Sequence, residues 1–83
     1  MNWQEVLDVG RADAITHRRQ AVLERTNATQ CSHEAQTATD RDVGALWLMR
    51  AMQQRSAAVS SDAAAQISDR IADHAESVLH SSR

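Results

Sequence analysis

The chain has no proline, no phenylalanine and no tyrosine, and its 83 residues include only two glycines, Gly10 and Gly44. Proline and glycine are the strongest breaks a backbone can carry. Their scarcity leaves few places to turn and excludes a loop-rich fold. A single cysteine, Cys31, excludes an internal disulfide framework. No run of about 18 apolar residues occurs, so no segment reads as a membrane span. Lysine is absent too: all nine basic residues are arginine, and the net charge is −2. Nucleic-acid binding needs a basic footprint that this balance does not supply, and an anionic membrane surface is disfavoured for the same reason. The opening Met1-Asn2-Trp3-Gln4-Glu5 lacks the basic start and apolar core of a cleavable leader. The expected location is the cytoplasm, or outside the cell by a route that needs no such leader.

What is present is largely alanine. Apolar residues make up 42% of the chain, with Trp3 and Trp47 the only aromatics. Burial energy follows apolar area at about 25 cal/mol per Å², so alanine adds little per residue. Small domains are marginal in any case. A thin core on long helices calls for a second chain to cover the rest.

Two helical segments are predicted. The first runs from about Asn2 to about Thr37, with Asn2 as cap and Glu5 three residues on. Leu7, Ala14, Ala21, Ala28 and Ala35 recur every seven residues and make one narrow stripe of coiled-coil character, flanked by Ile15 and Val22. Arg11, Arg18 and Arg25 repeat with the same period beside it. They read either as a solvated flank whose stems lie over apolar surface or as a strip for binding acids. Gly10 marks a frayed first turn or a close approach of another helix. The reversal is placed at Thr37 to Gly44, with Thr39 or Asp40 as the next cap and Gly44 in the following first turn.

The second segment runs from about Asp42 to about His80. Ala45, Leu48, Met52, Val59, Ala63, Ile67, Ile71, Ala75 and Val78 follow steps of three and four, apart from one gap near Arg55 and Ser56, and define its expected buried stripe. Asp62, Asp69 and Glu76 repeat every seven residues on the opposite face. Ser60-Ser61-Asp62 either caps a separate helix or lies on the surface of one continuous helix. The expected fold is all-α: one domain over residues 1–83, an antiparallel two-helix hairpin of coiled-coil type, with a possible break of the second helix near residues 60–62.

Chemistry-bearing motifs are sparse. His74 and His80 lie six apart, which is wrong for two ligands on one helix face, and Cys31 with His33 could ligate only in an extended loop. No metal site, cofactor or small-molecule substrate is expected. A thiol nucleophile at Cys31 would need a pocket and oxyanion donors that a thin hairpin has no room to build, so no enzymatic activity is expected. Asn27-Ala28-Thr29 matches a glycosylation acceptor, a triplet common by chance. Trp47 lies in the most apolar run, Val43 to Met52. It either closes the hairpin near the turn or anchors a partner, since tryptophan is enriched at hot spots and methionine at adaptable surfaces. Trp3 is placed at the open end near Val78 and Leu79. The expected partner-binding residues are Trp47, Leu48, Met49, Met52, Val59, Ile67, Ile71 and Val78.

With Trp3 near the start, a polar central turn at Thr39-Asp40-Arg41-Asp42 and a second helix running almost to Arg83, the layout resembles the small helical-hairpin proteins of bacterial type III secretion systems. These are needle and inner-rod subunits and their small chaperones. Needle subunits carry a proline-containing turn, which Thr39-Asp40-Arg41-Asp42 replaces here. The resemblance covers layout only and assigns no functional residue. It implies polymerisation through Val43 to Leu79, or burial of that segment by a chaperone. The expected function is therefore structural or interaction work by a homo-oligomer or with a protein partner, most specifically as a secretion-apparatus subunit. The alternative is a small phage or bacterial adaptor that binds a larger protein and inhibits or regulates it.

Overall fold

A computed structural model describes residues 1–82; the predicted domain extends one residue further, to Arg83, which lies outside the described residues. Helix α1 spans Trp3–Thr37 and helix α2 spans Arg41–Ser81. They pack side by side as an antiparallel hairpin with Cα extents of 65 × 14 × 13 Å. No strand occurs among the described residues. The expected all-α hairpin is the observed fold.

Each helix starts where its first free N–H groups find a side-chain acceptor. Asn2 accepts from the Glu5 N–H at 3.1 Å. Asp40 accepts from the Asp42 and Val43 N–H groups at 2.9 and 3.1 Å. Asp40 is thus the cap, and Asp42 adds negative charge at the positive end of the helix dipole. Between the helices only Ala38, Thr39 and Asp40 are non-helical. Helix α2 continues through Ser60-Ser61-Asp62 without interruption. Alanine-rich sequence on both sides propagates the helix across two serines, and the packing of Ala58 and Ala65 against α1 holds both sides of that stretch in register.

The seam between the helices differs from the one the spacing of large residues predicts. On α1 the buried residues are Gly10, Ala14, Ala21, Glu24, Ala28 and Cys31, as the alanine row suggests. On α2 they are Gly44, Ala51, Ala58, Ala65, Ala72 and Ala75. Of the predicted α2 stripe only Ala75 is buried. Leu48, Met52, Val59, Ile67 and Ile71 are instead exposed by 50–68%. The cause is steric. Small side chains let two backbones approach closely along their whole length, and each large side chain would hold them apart. A Cβ built on Gly10 would lie 3.0 Å from the Ala72 Cβ and 3.1 Å from the Ser68 carbonyl oxygen. Gly10 therefore marks the close approach, not a frayed turn. Gly44 does the same at the turn, where an added Cβ would meet the Ala35 carbonyl oxygen at 3.4 Å.

The burial pattern alternates steps of three and four on both helices, the 3.5-residue period of a coiled coil. Including half-buried positions, the seam reads Trp3, Leu7, Gly10, Ala14, His17, Ala21, Glu24, Ala28, Cys31 and Ala35 along α1. Among the described residues no large side chain is fully buried; the core is a double row made mostly of alanine. Larger residues close the ends. Trp3 stacks edge-on against His74, ring centroids 5.5 Å apart, one turn before Val78. Trp47 occupies a half-buried seam position near the turn.

Candidate functional site: two unlike flanks of the hairpin

The two flanks of the seam carry different chemistry. On the first, the arginine row of α1 meets the acidic row of α2. Arg11 donates to Asp73 at 2.9 Å and to Glu76 at 3.0 Å, with Asp69 at 3.5 Å. Arg18 pairs with Asp69 and Arg25 with Asp62. Arg55 donates to Ser32 at 2.7 Å. Each step of seven down α1 is matched by a step of seven back along α2, so the ladder records the antiparallel register. Asp62, Asp69 and Glu76 therefore lie beside the seam and not on the opposite face, because α2 buries its alanine row and not its row of larger side chains. The arginines read neither as a bare solvated flank nor as a strip for outside acids, because their acids are in the same chain.

The ladder shifts its own titrations. The Arg18 guanidinium, hydrogen-bonded to Asp69, holds that carboxyl below its ordinary value, with Arg11 adding to the effect and burial opposing it. The hydrogen bond to Asp73 raises Arg11, and the one to Asp62 raises Arg25. A carboxyl with a lowered folded-state pKa contributes stability that is fully present above its unfolded value and lost as pH falls through the folded one. The Asp69 pairing is expected to hold unchanged at neutral pH and to weaken only below the ordinary aspartate value of 3.8. Thermal unfolding of wild type and Asp69→Asn followed from pH 6 to pH 2 checks this: the gap between the two should be largest at pH 6 and close toward pH 2. Because these pairs face solvent, each is also worth little at high salt.

The second flank has no such ladder among the described residues. It carries apolar grooves at both ends. Near the open end a groove runs between α1 and α2, lined by Val6, Val9, Gly10 and Ile71 and rimmed by Glu5 and Asp13. Near the turn, Val43, Leu46, Trp47 and Met49 line another, with Arg50 at its edge. Arg50 and Trp47 also border a hollow against Cys31, together with Asn27 and Gln30. Neither Asp13 nor Arg50 has an ion-pair partner among the described residues.

The residues predicted to bind a partner fall on several sides of α2. Trp47 is half-buried in the seam and Val78 half-buried beside it, whereas Leu48, Met49, Met52, Val59, Ile67 and Ile71 are exposed. The hairpin brings no two of them into a closed pocket. Val22, Leu23 and Ile15 add exposed apolar surface on α1. Leu23 and Val9 were not singled out from the sequence; once α1 is taken as helical, their spacing from the alanine row already places them off the seam. Cys31 is buried in the seam as a small apolar residue, and no histidine or carboxylate borders the hollow beside it. Among the described residues no group of three His, Cys, Asp or Glu side chains converges as metal ligands would. No helix there is long and apolar enough to cross a membrane. Comparison with family models, with curated proteins and with solved structures finds no match to this chain.

Proposed function

We propose that this protein does structural or interaction work: a stiff helical hairpin whose outward apolar side chains are covered by helices from other chains. One observation carries the reading. Alanine fills the seam, while Leu46, Met49, Met52, Val59 and Ile67 are each more than half exposed along a single helix. Monomers seldom expose contiguous apolar patches of more than a few hundred Å² without a use for them. An isolated leucine on a surface means nothing; a row of large aliphatic side chains beside an all-alanine seam is different, because size has been sorted outward. The secretion-apparatus subunit is the more specific form of the proposal. It draws support from the hairpin layout and from the apolar outer surface of α2, the segment through which such a subunit would polymerise or be held by a chaperone.

The test is a pair of outward substitutions, Met52→Glu and Ile67→Glu, combined in one chain. Surface changes of this kind shift stability by about 0.5 kcal/mol or less each, so helical circular dichroism and the unfolding midpoint should stay near wild type. Self-association, or binding to a purified partner, should fall sharply. A loss of helicity in the variant would show that these side chains hold the hairpin itself together and would overturn the reading. A subunit gives large or open-ended assemblies in sedimentation, whereas an adaptor gives one complex of fixed stoichiometry.

A further inference from the structure

We draw no further inference here: the strongest candidate, the apolar groove between α1 and α2 at the open end, lined by Val6, Val9, Gly10 and Ile71 and rimmed by Glu5 and Asp13, is an unpartnered face, and nothing in the structure shows what covers it.

Discussion

Leucine in place of Ala58 is expected to lower the stability of the hairpin by about 1–3 kcal/mol, although it makes the chain more apolar. Ala58 is 1% exposed, and Ala51 and Ala65, one heptad to either side, are as fully buried. In a coiled coil with a roomy seam, leucine for alanine adds buried area at about 25 cal/mol per Å². Here the backbones are already so close that a single Cβ on Gly10 would sit 3.0 Å from Ala72. Three further carbons must push the helices apart, and separation breaks contacts along the seam on both sides. For a chain of this size, total stability is on the order of 5–10 kcal/mol, so the loss is a large fraction of it. Gly10→Leu should cost at least as much, because the obstruction includes the α2 backbone and not only a side chain. The control is Val59→Leu, one residue along and exposed by 66%, which should change stability by about 0.5 kcal/mol or less. Urea unfolding followed by helical circular dichroism measures all three. A stabilised Ala58→Leu would mean that the seam has slack and that packing does not select alanine there.

The same point explains what the sequence reveals and what it hides. The two helices, their caps at Asn2 and Asp40 and the single reversal are legible because each depends on local chemistry: propensity, capping oxygens and the absence of breakers. The α1 seam is legible as well, since Leu7 draws attention to the alanines that follow it every seven residues. On α2 the alanine row of Ala51, Ala58, Ala65 and Ala72 is just as regular, but it runs beside Met52, Val59 and Ile67. Ranking positions by apolar size selects the larger row. The hairpin selects the smaller one, because what limits a long two-helix contact is how near the backbones come. The Arg11–Arg18–Arg25 row held the missing signal. It shares the period of Asp62, Asp69 and Glu76 and is opposite in sign, and pairing the two rows forces the alanines of α2 inward. The proposed partner surface is less legible, since a helix with large side chains on several sides does not announce which of them another chain would cover.

Ser61→Ala should destabilise the hairpin by about 1–3 kcal/mol, a large effect for the loss of one oxygen. Glu24 is a buried charged residue in the seam, 9% exposed, and Ser61 donates to its carboxyl at 2.5 Å. Removing the donor leaves a buried acceptor without that partner, and alanine offers nothing in return. Glu24→Ala combined with Ser61→Ala should recover most of the loss, because alanine then fills that level of the seam on both helices and no polar group is stranded there. A double-mutant cycle measured by urea unfolding gives the coupling, expected at about 1–2 kcal/mol. If the single and double variants were equally unstable, the hydrogen bond would carry no weight. Retaining a polar pair in so plain a seam makes physical sense through register. Alanines repeated every seven residues fit nearly as well after a slip of one heptad, so packing alone distinguishes the alternatives poorly. One such slip sets Arg25 against Arg55, and either direction moves the reversal off the Asp40 cap that holds the start of α2. Glu24 and Ser61 add a third constraint from inside the seam. Under the proposed function the hairpin presents a fixed outer surface to other helices, which needs its two strips of side chains in one alignment, and these polar contacts, more than the alanines, are what define it.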